Sequence, residues 1–364
     1  MNQLFVTIPM LSIRFLNIVL ISSLTISLPL YASDQENSDE TLTEQQLAQQ
    51  EAELIKKIAA CEATLIETGL INEEDGADIK RYCTIQIRTQ GKTFGRYAKR
   101  LINEKMTEIN PFVITPHKQS YILPVVISDR FNRDPYSFSP EYSAGLEELE
   151  AKYQVSFKVP LTEPSWFIPG DGFYFGMTIQ AWWQVYADDI SKPFRETNYQ
   201  PEVFYMAPLP FQWNEGNLLF TIHLEHQSNG QHQLLSRSWN RLLAAITYEK
   251  DNYVISFKPW HRFKEDNKTN PLQPTGDDNP DIEDYLGRYE LTGAYAFSND
   301  LKLSYLVRKN WRTGNGALEL NLTYPLWGRL VGMAQIFSGY GESLIDYNHK
   351  QTKIGLGIAL TEIF

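Results

Sequence analysis

Two histidines, three serines and two asparagines crowd the stretch His226-Gln-Ser228-Asn-Gly230-Gln-His-Gln-Leu-Leu-Ser236-Arg-Ser-Trp-Asn240. Serine becomes a nucleophile at neutral pH when a base takes its proton, and that base needs a third group to fix its tautomer. Phe220, Ile222 and Leu224 alternate with Thr221, His223 and Glu225. A period of two marks a strand, so His226 and Ser228 share its apolar side. On the far side of the loop, Asn240, Leu242, Ala244, Ile246 and Tyr248 fall on one parity. A hairpin turning at residues 229–237 would bring Asn240 beside His226. A lone His-x-Ser is usually coincidence, but here the three groups converge. In a soluble enzyme they would be expected at the mouth of a water-facing cleft, whereas here they continue a stripe of Phe, Ile and Leu. That placement makes sense if the stripe faces lipid and the site acts on lipid.

The elements that must position these residues belong to an exported chain. In the first 33 of its 364 residues the only charge is Arg14, followed by the apolar run Phe15 to Leu30 and the small pair Ala32-Ser33. This is a secretory signal pattern, too short for a retained span, so residues 1–32 are expected to be removed. Removal takes the net charge from −11 to −12, a balance that argues against nucleic-acid binding. Cys61 and Cys83 are the two cysteines, and in an exported protein a disulfide is their leading reading.

Residues 33–110 are rich in Gln, Glu, Ala, Lys and Leu, and proline is absent from 34 to 110. Leu47, Leu54, Ile58, Cys61 and Leu65 keep a helical spacing that should end near Gly69, and Asp75-Gly76 opens a second helical stretch through about Lys105. A helical hairpin in the periplasm is expected, with the two thiols at similar heights and no chemistry of its own.

From 111 to 364 the pattern becomes strands of about ten residues, placed near 118–128, 148–160, 173–186 and 198–209, with eight more from 217 onward. Charged positions such as Lys302, Arg308 and Glu319 oppose the apolar ones. Connections at 249–252, 298–300 and 326–328 are short, while those at 229–235, 264–281, 312–316 and 341–350 are longer. Strict alternation of short and long is the mark of an outer-membrane barrel with tight periplasmic turns. The expected fold is therefore all-β, a 12-stranded antiparallel transmembrane β-barrel with both ends in the periplasm and an N-terminal α-helical extension. His226 and Ser228 then lie near the extracellular rim, facing lipid. Trp182, Trp183, Trp239, Trp260, Trp311 and Trp327 are read as aromatic girdles, and His223, on the lumen parity, as a hydrogen-bonded interior residue.

The block His226-x-Ser228-Asn229-Gly230, followed by Ser236-Arg237-Ser238-Trp239-Asn240-Arg241, resembles that of the outer-membrane phospholipase A family. Pro193 to Tyr199, Lys258-Pro259-Trp260, Asp277 to Asp281, Tyr324-Pro325 and Ser338 to Asn348 match in the same order. The resemblance covers about residues 110–364. It implies that Ser228 is the nucleophile, His226 the general base and Asn240 the group that orients the imidazole. An amide can do this without setting a carboxylate against lipid, where an ionised group is expensive. It further implies catalysis with Ca2+, the oxyanion being met by the Gly230 N–H and a calcium-bound water. The matching metal ligands are the Ser236 hydroxyl, the Gln231 carbonyl, which stands where the family usually has Arg, and a Ser191 carbonyl from a second subunit. A second calcium position matches Asp278, although its companion acid is replaced by Gln233. Where the family's dimer interface usually has a glutamine, this chain has Ile179, with Gln180 one residue on. The implied activity is hydrolysis of phospholipid and lysophospholipid acyl esters by a homodimer in the bacterial outer membrane. The second reading, a catalytically inactive structural or pore-forming barrel, would be separated from it by fatty-acid release from phospholipid vesicles.

Overall fold

The computed structural model describes residues 44–67, 80, 83, 94–107, 113–162 and 166–364. The expected signal segment, residues 1–32, lies outside them. The chain divides into two units at Glu53/Leu54, and the described part of the first is the opening half of helix α1, Glu44–Glu67. The stop expected near Gly69 lies outside the described residues. Cys61 and Cys83 are joined by a disulfide, with Cα atoms 5.7 Å apart. Most of the expected second helix falls outside the described residues; its last part is α2, Arg96–Thr107, and Phe94 and Gly95 before it are not helical. A Cβ on Gly95 would lie 2.8 Å from the Asp251 backbone nitrogen, so only glycine lets the chain pass this close to the turn beneath it.

Among the described residues, twelve strands of eight or more residues follow. A two-residue strand that the alternation did not announce, β1 (Thr115–Pro116), comes first. Then come β2 (Tyr121–Ser128), β3 (Leu149–Pro160), β4 (Gly172–Trp183), β5 (Phe194–Trp213), β6 (Gly216–Ser228) and β7 (Ser238–Lys250). They are followed by β8 (Tyr253–Phe263), β9 (Tyr289–Ala296), β10 (Lys302–Lys309), β11 (Gly316–Trp327), β12 (Leu330–Gly339) and β13 (Gln351–Ala359). Each long strand pairs antiparallel with its chain neighbours, and β13 pairs with β2, which closes the ring. Closure leaves the long strands no bare edge.

Alternation decides which side each residue faces. Ile222, Leu224, Leu242, Ile336, Ile354 and Leu356 point outward and are exposed, whereas Glu150, Lys152, Arg195, Glu202, Glu225, Arg241 and Lys353 are buried in the lumen. An apolar exterior around a polar interior is the inverse of a soluble protein. The girdle expectation needs correction for three tryptophans: Trp182, Trp239 and Trp260 are buried inside, while Trp183, Trp311 and Trp327 are exposed. Consecutive strand residues face opposite ways, so Trp182 and Trp183 cannot both meet lipid. Trp182 donates instead to Glu342 at 2.9 Å. His223 is the interior residue expected, bonded to Glu202 at 2.7 Å and Thr221 at 2.8 Å.

The lumen is closed at its extracellular end by residues 340–350. Arg195 bridges Glu150 (3.0 Å) and Asp346 (3.1 Å), Lys353 bridges Glu150 and Glu342 (2.7 Å each), and Lys152 reaches Glu342 at 3.0 Å. Removing one partner from a buried network of this kind costs about 3–5 kcal/mol, so this plug is fixed to the wall. At the other end α2 lies across the mouth. Arg96 donates to Asn252 (2.9 Å) and Asn299 (2.8 Å), Arg100 to the Glu362 and Ile363 carbonyls (2.8 and 2.9 Å), and Lys158 pairs with Glu104 at 2.8 Å. A cavity of about 390 Å³, lined by polar and apolar side chains alike, remains between the closures.

Burial opposes ionisation of Glu104, but Lys158 and Arg100 together hold its carboxyl below the ordinary range. A lowered folded-state value contributes stability above the unfolded value and loses it as pH falls through the folded one. Limited proteolysis should therefore find residues 96–107 protected at neutral pH and cleaved first in acid or in Arg100→Ala, the rest of the barrel staying intact. Equal protection in Arg100→Ala would show that α2 is held by something else.

Candidate active site

His226 and Asn240 are cross-strand neighbours in the β6–β7 hairpin. The His226 Nδ1–H donates to Asn240 Oδ1 at 2.8 Å, so in the neutral imidazole the proton sits on Nδ1 and Nε2 is the nitrogen able to accept one. Ser228 lies two residues on, on the same outward side, and twice the strand rise sets its Cβ roughly 6.6 Å from that of His226. That spacing lets an imidazole and a hydroxyl meet. The face is a lipid face, since Leu224 just below is 58% exposed.

The loop after Ser228 is built around Asn229, whose role the sequence did not disclose. Its side chain is buried. Oδ1 accepts from the Gln231 and Arg237 backbone (3.3 and 3.0 Å), and Nδ2 donates to the Leu235 carbonyl at 2.7 Å and to Glu196 at 3.2 Å. Glu196 is itself fixed by Asn198 (2.5 Å) and the Ile345 N–H (3.2 Å). The matching segments at 193–199 and 338–348 thus act from inside the barrel: they hold the loop that carries the site. Gly230 has φ +64°, a conformation that L side chains rarely adopt, and a Cβ there would stand 3.3 Å from the Tyr199 ring. Tyr199 is the cross-strand partner of Ser228 on β5, a neighbour that sequence reasoning did not single out.

The oxygen-bearing residues lie close by in the chain. Ser236 Oγ donates to Asp278 Oδ2 at 2.6 Å, so the hydroxyl proton is committed and its lone pairs face elsewhere. The other Asp278 oxygen is held by the Lys268 ammonium, and both side chains of that pair are largely buried. Among the described residues no group of three His, Cys, Asp or Glu could hold a metal. The donors present are neutral oxygens, from Ser236 and the Gln231 carbonyl. Neutral oxygens suit a hard cation such as calcium, but two from one chain fall short of the six to eight it takes. Ser191, in the exposed loop before β5, is accessible to a second molecule. The second cation position does not fit: an ammonium occupies Asp278 and Gln233 is neutral. Gln180 turns inward onto Gln154 at 2.6 Å, leaving Ile179 on the outward parity.

A closed barrel with an apolar exterior around a charged lumen defines an outer-membrane protein, with His226, Ser228 and Asn240 together on the outward side of one hairpin. A family model described as Phospholipase A1 matches residues 97–360. Phospholipase A1 of Klebsiella pneumoniae is 37% identical over 259 residues, 70% of this chain and 85% of the relative, and that of Escherichia coli K12 is 36% identical over 70% and 84%. An active-site mutant of outer membrane phospholipase A from Escherichia coli superposes with a TM-score of 0.65 at 32% identity, covering 74% of this chain and 98% of that one. The Salmonella typhi outer membrane phospholipase, a dimer with bound calcium, gives 0.65 at 33% identity with the same coverage. The chain belongs to the phospholipase A1 family. It is an outer-membrane phospholipase, and the expectation drawn from the residues around Ser228 is borne out at the level of family, fold and activity.

Proposed function

We propose that Ser228 is the nucleophile, His226 the general base and Asn240 the residue that orients it. The observation that carries this reading is the 2.8 Å bond from His226 Nδ1 to Asn240 Oδ1 on the lipid-facing side of the hairpin. With Nδ1–H donated, Nε2 takes the Ser228 proton as Oγ attacks the acyl carbonyl carbon. The tetrahedral oxyanion is met by the Gly230 N–H, which the positive φ turns away from the strand ladder. Collapse breaks the ester bond, and His226 returns its proton to the departing glycerol oxygen. Water, activated by the same His226, then releases the fatty acid and restores Ser228. Lysophospholipids carry the same ester and fit the same steps.

We further propose that the working unit is a homodimer using calcium. The Ser236 hydroxyl and the Gln231 carbonyl would hold the ion together with a carbonyl from Ser191 of the partner subunit. Its chemistry there is to stabilise negative charge on the carbonyl oxygen. Asp278 orients Ser236 and does not hold a second ion. In the same reading residues 1–32 are a signal peptide, residues 33–110 a periplasmic extension and residues 111–364 the catalytic barrel.

Comparing Asn240→Ala with His226→Ala tests the assignment of roles. His226→Ala removes the base and should cost about a thousandfold or more in kcat. Asn240→Ala leaves the base and removes its orientation, so it should retain measurable activity well above that of His226→Ala. Equal losses would give Asn240 a larger role than orientation.

A further inference from the structure

We propose that Glu265 is a positioning residue for this site, locking the Asn240 amide in the one orientation that makes His226 a base; the proposal rests on the roles assigned above. An asparagine amide has two ends of nearly the same shape. With Oδ1 toward His226 it accepts the Nδ1–H and leaves Nε2 to take a proton. Flipped, it would offer an N–H to Nδ1 and stabilise the opposite tautomer, in which Nε2 already carries its proton and cannot act as the base. Nothing in Asn240 itself prefers the productive end.

Glu265 supplies the preference. The Asn240 Nδ2 donates to Glu265 Oε1 at 3.1 Å while Oδ1 accepts from His226 at 2.8 Å. An ionised carboxylate only accepts, so it bonds the amide nitrogen and rejects the oxygen. The topology explains how it gets there. Phe263, the last residue of β8, is the cross-strand partner of Asn240, and Glu265 follows two residues later as the chain leaves the barrel rim. The carboxylate is exposed, so its charge stays at the water level and reaches the lipid-facing array only through the amide. Beyond it the loop returns to the barrel and is tied down: Asp277 pairs with Arg262 of β8 at 2.6 Å, and Asp278 accepts from the Ser236 hydroxyl at 2.6 Å. Glu265 therefore leaves β8 on a segment anchored at both ends, which is what holding a second side chain in register requires.

A double-mutant cycle with Asn240 gives the test, measured as kcat and KM for fatty-acid release by the full chain, with heat-modifiable migration as the check on folding. Glu265→Ala should lower kcat about tenfold, the lower end of losses from outer partners of a functional side chain, with KM unchanged. Glu265→Gln can turn either end of its own amide toward Asn240 and so should recover little of that loss, whereas recovery of the full rate would show that an acceptor-only group is not needed. In an Asn240→Ala background, Glu265→Ala should have no further effect, because the residue acts through Asn240. A full tenfold loss in that background, wild-type kcat in Glu265→Ala, or a change confined to KM would overturn the proposal. The two readings fail separately: if Ser228→Ala stays active, the assignment of the site is wrong. If Ser228→Ala is inactive and Glu265→Ala is not, only the role of Glu265 is lost.

Discussion

Ser228→Ala should reduce fatty-acid release from phospholipid vesicles by a thousandfold or more, because removing the nucleophile of such an array typically costs orders of magnitude. The variant should fold normally. Ser228 sits at the end of β6 on the outward side, and its hydroxyl is no part of the lumen network that holds the barrel together. Heat-modifiable migration should match that of the parent chain, which separates loss of chemistry from loss of fold. More than about a thousandth of the rate in a homogeneous preparation would move the nucleophile elsewhere.

Chelating calcium should cause a loss of comparable size, about a hundredfold to a thousandfold, the range for removing one oxyanion-stabilising group. Between His226 and Asn240 there is no carboxylate, Ser236 is neutral, and Asp278 is neutralised by Lys268. Affinity falls with ligand charge, so a single chain should bind calcium weakly and a pair, adding the carbonyl of Ser191 of the partner subunit, more tightly. Binding and association are then linked, each strengthening the other by the same factor. Crosslinking in detergent should show more dimer with calcium than with chelator, together with the gain in activity. A fully active monomer, or a dimer fraction indifferent to calcium, would break the link.

How much of this was legible in the chain differs from residue to residue. The outward parity of His226, Ser228 and Asn240 follows from strict alternation, and the structure places all three as the period requires. The barrel closure and the short and long connections were equally readable. β5 extends over Phe194–Trp213, well beyond the 198–209 expected. Pro208 and Pro210 disguise its far end, where pairing of Gln212 with Asn217 and Trp213 with Gly216 on β6 carries the ladder past them, and Glu196 pairs with Trp182 on β4 at its near end. The tryptophans were misassigned where aromatic type was weighed above parity, since Trp239 and Trp260 have Arg241 stacked on them inside the barrel. Asn229, Glu265 and Lys268 were not legible for a physical reason. Each acts from a loop, where no period fixes direction and the partner is chosen by tertiary contacts with distant strands.

The most direct test of the central claim is covalent capture of the nucleophile. A long-chain alkylsulfonyl fluoride, which reacts with an activated serine, should inactivate the full chain in step with a single adduct, and peptide mass mapping should place it on Ser228. His226→Ala should prevent the adduct, since without the base the hydroxyl is not activated. Inactivation with Ser228 unmodified, or with the adduct on Ser236 or Ser238 instead, would contradict the account.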